Sequence, residues 1–229
     1  EAMTGVPSAL VREAARLYAR PLFGGSFVLW GMGITQHTNG TDNAHALMNM
    51  ALAAGQVGKP GSGISPLRGQ NNVQGCGDVG CLPNTLPGFQ GLGDDARAKF
   101  AAAWGGPLHA EPGLTSTEMI EEAAAGRLKA MFVMGENPLL SEPYLAHARE
   151  AIGKLEFLAV QDIFMNETAE LAHVVLPATS FAEKEGTFSN SERRVQRVRR
   201  AVAPIGESRP DWEIVGEIAR RVAALLGRD

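Results

Sequence analysis

Cysteine is nearly absent from this sequence. Its 229 residues hold two, Cys76 and Cys81. Two thiols cannot build a disulfide framework, and without a CxxC pair they cannot complete a four-thiolate cluster or a structural zinc site. They read as small packing residues or free thiols. Long apolar runs are also missing, so no segment has the length needed to cross a bilayer and no membrane insertion is expected. There is no excess of positive charge. The formal net charge is -4, which gives no general case for nucleic-acid binding. The run Arg193, Arg194, Val195, Gln196, Arg197, Val198, Arg199, Arg200 is a local exception. It reads first as a solvated strand or hairpin face and second as an anion site. No signal-like stretch precedes the first helical pattern, so the sequence reads as a piece cut from inside a larger protein. An export signal would then lie upstream, and a cytoplasmic protein is the default expectation.

What is present fits an α/β protein with a real core. Hydrophobic residues make up 45% and charged ones 20%, while 27 glycines and 13 prolines point to many tight turns. Residues 7–20 repeat Leu10, Val11, Ala14, Ala15, Leu17 and Tyr18 at helical spacing, with Ser8 as the expected N-cap. Residues 26–30 form a short apolar run stopped by Gly31, Met32 and Gly33, as in a buried parallel strand ending in a glycine turn. A helix is expected over 44–57, capped by Asp42 or Asn43 and ended by Gly58 and Pro60. Over 58–95 the periodicity disappears. This stretch lacks the charge that accompanies disorder, so it reads as an ordered loop wrapped around something.

Regular alternation returns in the second half. Strands are expected over 128–133, 157–160 and 173–176, with helices over 143–155 and 167–172 between them. That order implies a parallel sheet with helices on both faces, doubly wound and Rossmann-like. Residues 186–202 resemble a hairpin or an extended excursion. A last amphipathic helix is expected over 211–226, capped by Asp211 and burying Trp212, Ile214, Val215, Ile218 and Val222. The expected division places one segment of an α/β domain in 1–68 and a second α/β domain, led by the long loop, in 69–229.

Ligands of doubly wound sheets bind beyond the carboxyl ends of the strands. Four such ends carry distinctive residues. The first has Gly31, Met32, Gly33, Ile34, Thr35 and Gln36, whose glycines allow close approach of a phosphate or flat ring, although Gln36 departs from the dinucleotide fingerprint. The next have Gly135, Glu136 and Asn137, then Gln161 and Asp162, then Thr179 and Ser180. Taken singly each is a cap or turn; all four at one sheet edge favour a nucleotide-like ligand. In the long loop Arg68 stands among Gln70, Asn71, Asn72 and Gln74. Such an arginine is either a clamp for a small carboxylate or oxyanion, or a partner of nearby loop carbonyls.

Three stretches, residues 31–36, 68–75 and 183–196, together resemble the bis-molybdopterin guanine dinucleotide oxidoreductases of molybdenum and tungsten. Residues 68–80 look most like formate dehydrogenase catalytic subunits. The resemblance covers essentially the whole sequence. It implies parts of two α/β cofactor domains, with Gly31, Met32, Gly33, Gln36 and Gln70 along one pterin dinucleotide. Gly135, Glu136, Asn137, Gln161, Asp162, Thr168 and Ser180 would lie along the other, Asp162 at its guanosine end. Arg68 matches the arginine that orients formate beside the metal.

The resemblance also implies what lies outside these residues: a 4Fe–4S cluster, a metal-ligating cysteine or selenocysteine followed by histidine, further domains of the parent chain, and electron-transfer subunits. The expected metal set within the chain is therefore empty, and the 229 residues alone are expected to be inactive. Three rivals stand beside formate oxidation. One is a nitrate reductase of the same superfamily. Another is the electron-transfer scaffold related to the large subunit of respiratory NADH dehydrogenase. The third is a plain nucleotide-binding module.

Overall fold

The computed structural model describes residues 1–227. The chain divides into two units, one comprising 1–74 with 189–194, the other 75–188 with the chain from 195 onward. Parallel sheets are flanked by helices on both faces, as the sequence implies.

In the first unit, α1 (Ser8–Ala19) leads to β1 (Phe27–Trp30), the short α2 (Met32–Thr35) and α3 (Gly40–Ala53). β2 (Gly63–Pro66) returns parallel to β1, pairing Phe27 with Gly63 through Trp30 with Pro66. The buried Gln56 ties these parts together: its Oε1 accepts the Ser26 N–H at 3.0 Å and its Nε2 donates to the Ala19 carbonyl at 3.1 Å. The sequence had offered 58–95 as one irregular loop. Strand β2 is invisible to period counting because four residues ending in proline carry too little alternation, yet pairing with β1 satisfies their backbone.

The second unit follows α4 (Val73–Asp78), which straddles the boundary. The small pair β3 (Thr85–Leu86) and β4 (Gln90–Gly91) is antiparallel. Then come α5 (Asp94–Trp104), α6 (Ser116–Ala124), β5 (Ala130–Met134), α7 (Pro138–Ser141), α8 (Leu145–Gly153), β6 (Phe157–Asp162) and β7 (Val174–Pro177). β6 is central, parallel to β5 on one side and to β7 on the other. Its alternate residues serve two faces. Leu158 and Val160 pack with Val133, Ile120, Ala148 and Ile152 beneath α6 and α8. Ala159 and Gln161 face the opposite way, toward the start of α9 (Asp211–Leu225), which Gln161 contacts. β8 (Gly186–Ser189) and β9 (Val195–Val198) pair across the turn at 190–194, giving the expected hairpin.

Several expectations need correction. The four strand ends do not share one edge: β1 belongs to its own sheet, and only β5, β6 and β7 present ends together. α3 begins at Gly40, with Asp42 and Asn43 inside its first turn rather than capping it. Gly40 is packed against the Thr35 carbonyl, so the helix starts directly out of the preceding turn. Pro7 and Pro210 hold the cap positions of α1 and α9 that Ser8 and Asp211 were expected to fill. On α9 only Ile214 is buried, and Trp212, Val215, Ile218 and Val222 lie open.

The Gly40 contact generates a direct test. A Cβ there would collide with main chain that cannot swing aside. Gly40→Ala is expected to cost about 1–3 kcal/mol or more in chemical unfolding of the chain, whereas Gly106→Ala, where the added atom meets nothing, should stay within about 0.5 kcal/mol.

Candidate functional site

In the first unit the turn after β1 is held from below. Gly31 is extended (φ -123°, ψ -161°) and leads into α2, where the Gln36 N–H donates to the Met32 carbonyl at 2.7 Å. His37 Nε2 meets the Gly33 carbonyl at 2.8 Å, and Asn43 Nδ2 donates to the Ile34 carbonyl at 2.9 Å. Gln36 Nε2 lies 3.5 Å from Met32 Sδ. A Cβ built on Gly31 or Gly33 would meet nothing within 4 Å, and neither residue has positive φ. Backbone strain and internal packing therefore do not require glycine at either position. Open space above the backbone is what they provide.

Arg68 and Gln70 are exposed and line a cavity of about 480 Å³ with Asn71, Asn72, Ser191 and Arg193. The Arg68 guanidinium donates to the neutral Gln74 Oε1 at 3.3 Å and meets no carboxylate among the described residues. Asn72 and Arg193 both have left-handed backbone, at φ 60°. The Asn72 Oδ1 accepts the Ser189 N–H at 3.0 Å, binding the hairpin tip to this loop. The basic run thus contributes to the lining of this cavity as well as to a solvated hairpin.

In the second unit the loops beyond β5, β6 and β7 are tied to one another. Gly135 needs its left-handed backbone (φ 64°) and donates its N–H to the Gln161 carbonyl at 2.9 Å. Glu136 is exposed beside a cavity of about 360 Å³. Asn137 donates to Glu167 Oε2 at 2.6 Å and accepts from the Thr168 hydroxyl at 2.7 Å. The Asn137 hydrogen bond is the main reason the Glu167 carboxyl lies below the usual range. Thr168 is fully buried, and its oxygen also accepts the Leu139 N–H at 3.2 Å. Asp162 caps its own loop: Oδ1 accepts the N–H groups of Ile163 (2.6 Å) and Phe164 (3.3 Å), and Oδ2 accepts from Asn166 at 2.9 Å.

Gln161 is 0% exposed and turned inward. Its Nε2 donates to Asp211 Oδ1 at 2.7 Å, and the other oxygen of Asp211 accepts from Lys184. Gln161 Oε1 and Thr179 Oγ1 are both buried with no partner among the described residues. The adjoining residues divide the anchoring work. Glu183 accepts the Ser180 N–H at 2.8 Å and the Ile205 N–H at 3.0 Å, Lys184 reaches Asp211, and Glu185 pairs with Arg197 at 2.7 Å. Ser180 is thereby engaged with Glu183.

A family description, Molybdopterin oxidoreductase, matches residues 25–221. The chain belongs to the molybdopterin oxidoreductase family. Among curated relatives it is similar to the "Probable oxidoreductase YjgC" of Bacillus subtilis, 50% identical over 86% of this chain and 20% of that protein. It is 46% identical to the "F420-dependent formate dehydrogenase subunit alpha" of Methanocaldococcus jannaschii over 95% of this chain and 32% of that one. With "Formate dehydrogenase H" of Escherichia coli it shares 45% identity over 97% of this chain and 31% of that one. The chain thus spans 20% to 32% of the length of these three relatives.

Membership in this molybdopterin family implies a molybdopterin cofactor, and the residues present are compatible with one. The glycines at 31 and 33 leave open space where a side chain would stand, which lets a flat ring or a phosphate approach the backbone there. Among the described residues no group of three or more His, Cys, Asp and Glu side chains is placed to hold a metal. No helix among them is long and apolar enough to cross a membrane.

Sequence reasoning missed the anchors. Gln74, Asn43, Glu167, Lys184 and Asp211 position the candidate residues; Gln74 and Lys184 lie within the motif stretches 68–75 and 183–196, Asn43 and Asp211 were expected only as helix caps, and Glu167 carries no local signal. Pairs such as Gln161 with Asp211 are 50 residues apart, and nothing local announces them.

Glu183 offers a pH test. Hydrogen bonds from the Ser180 main chain, then its hydroxyl, hold this buried carboxyl below its ordinary range, against burial, which raises it. A lowered folded value stabilises above the unfolded value, and that contribution is lost as pH falls through the folded one. The thermal midpoints of the chain and of Glu183→Gln should therefore differ near neutrality and converge on acidification below about pH 4. Parallel curves across that range would show the carboxyl titrating alike in both states.

Proposed function

We propose that the protein containing this chain oxidises formate to carbon dioxide, and that the chain holds portions of a bis-molybdopterin guanine dinucleotide with molybdenum or tungsten. The observation that carries the substrate is Arg68, an exposed guanidinium in an amide-lined cavity whose one described partner is neutral. A formate carboxylate supplies the missing charge, and two N–H donors of the guanidinium match its two oxygens. When bound, the cofactor supplies the two-electron acceptor for the reaction.

The remaining roles belong to this chain's own residues. Gln74 orients the guanidinium from behind. Gly31 and Gly33 let the backbone approach one pterin dinucleotide closely, with Met32, Gln36 and Gln70 alongside. Gly135, Glu136, Asn137 and Asp162 face the second, Asp162 toward its guanosine end. Gln161, Thr168 and Ser180 hold those loops in place. The 4Fe–4S cluster, the metal-ligating residue and the electron-transfer subunits are assigned to parts of the protein outside these 229 residues, so the isolated chain is proposed to be inactive. A cytoplasmic location belongs to the same proposal. The similarity to relatives named as formate dehydrogenases supports the substrate.

The test is formate-driven viologen reduction by the full-length protein, with nitrate consumption measured beside it. Formate oxidation is expected, and nitrate reduction without it would keep the family and overturn the substrate. Arg68→Ala should reduce kcat/KM for formate about ten- to hundredfold, as for loss of a charged hydrogen bond of roughly 1.5–3 kcal/mol. Its metal and pterin content should be unchanged. Unaltered activity in a fully loaded Arg68→Ala protein would remove the arginine from substrate binding.

A further inference from the structure

Cys76 and Cys81 are both free and exposed, and both lie at the closure of α4. Gly80 adopts left-handed backbone there, at φ 84°. The Cys81 N–H reaches back to the Cys76 carbonyl at 2.9 Å, and the Gly80 N–H meets the Gly77 carbonyl at 3.1 Å. A six-to-one helix closure of this kind brings the side chain just past the end against one in the last turn, a place usually filled by an apolar contact. Here both positions carry thiols.

The separation can be bounded from the backbone alone. Standard covalent dimensions on either side of the 2.9 Å hydrogen bond limit the Cα–Cα distance to about 6.8 Å. Bridged cysteines span roughly 4.4–6.8 Å, and pairs beyond about 7 Å cannot close without backbone movement. The turn is also fixed: a Cβ on Gly80 would lie 2.8 Å from the Pro87 nitrogen and 2.9 Å from the Leu86 carbonyl carbon. Proximity has an electrostatic trace as well. The Cys76 thiol is pushed above its ordinary value, first by desolvation and then by the neighbouring Cys81.

We propose that Cys76 and Cys81 form a solvent-accessible vicinal dithiol that closes to an intramolecular disulfide when a small disulfide oxidant reaches it. One thiolate attacks the oxidant's S–S bond, making a mixed disulfide and expelling one small thiolate. The second cysteine thiolate then displaces the other. The pair loses two electrons and two protons; the oxidant gains both as two thiols. The same two sulfurs suit a thiophilic group that takes two ligands at once. This inference is independent of the substrate assigned above.

Oxidised glutathione applied to the folded 229-residue chain tests it by intact mass and thiol titration. The chain is expected to lose two hydrogens, retain no glutathione and fall from two reactive thiols to none. Cleavage before Asp78 should leave the Cys76 and Cys81 peptides joined until reduction. Cys81→Ser should instead trap a stable glutathione on Cys76, and Cys76→Ser one on Cys81. Two stable adducts on the unaltered chain, or chains linked to one another, would overturn the proposal. So would thiols left free under conditions that modify both single-cysteine variants. As a second reading, phenylarsine oxide should be held about a hundredfold more tightly by the unaltered chain than by either variant; equal retention would also overturn it.

Discussion

The amide of Gln161 lies wholly out of solvent at the carboxyl end of the central strand β6, and much of the second unit is organised around its attachments. Its side chain donates to Asp211 at the start of α9, and Asp211 also receives Lys184. Its carbonyl accepts the Gly135 N–H, which sets the turn after β5. A buried polar group left without its partner costs about 1–3 kcal/mol, and more where charge is involved. The interactions are therefore mutually constraining. Losing Asp211 would strand the amide, and losing the amide would leave the carboxylate with only the ammonium. Around this centre the Asn137, Glu167 and Thr168 contacts and the Glu183 anchor hold adjacent loops in fixed positions. Loops fixed in this way suit a large ligand, because little ordering entropy remains to be lost on binding.

The first unit achieves the same end with smaller means. His37 and Asn43 grip the turn over 31–36 from the side of α3, and Asn72 grips the hairpin tip. Arg68 stands in a cavity otherwise rich in amides. Its guanidinium is oriented by Gln74 without being neutralised, since an amide oxygen accepts a hydrogen bond but carries no formal charge. That combination leaves the arginine available to an anion. Across both units backbone groups, amides and carboxylates share the positioning, and in the first unit Arg68 and Arg193 bring positive charge to the cavity.

Much of the fold was legible because its strands end in distinctive turns. Gly31 to Gln36, the turn at Gly135 and the Gln161–Asp162 pair all stand at strand ends as expected, and β5, β6 and β7 run parallel. Local patterns were less informative where tertiary contacts decide. β2 is short and ends in proline, so its parallel partner rather than its periodicity makes it a strand. The apolar spacing of α9 predicts burial of Trp212 and Val222, but spacing identifies a face and does not supply the surface that covers it. The cross-links among loops were illegible for a simpler reason. They join residues such as Asn137 with Thr168 and Gln161 with Asp211, far apart in the chain and individually ordinary.

The central claim is that the open glycine turns make room for a pterin dinucleotide. Gly31→Leu in the full-length protein examines it most directly, because a Cβ added there meets nothing within 4 Å and the backbone is an ordinary extended one. The account predicts an unchanged thermal midpoint for the cofactor-free protein, with pterin, guanine nucleotide and metal contents falling together. A Gly31→Leu protein carrying its full complement of all three would contradict it.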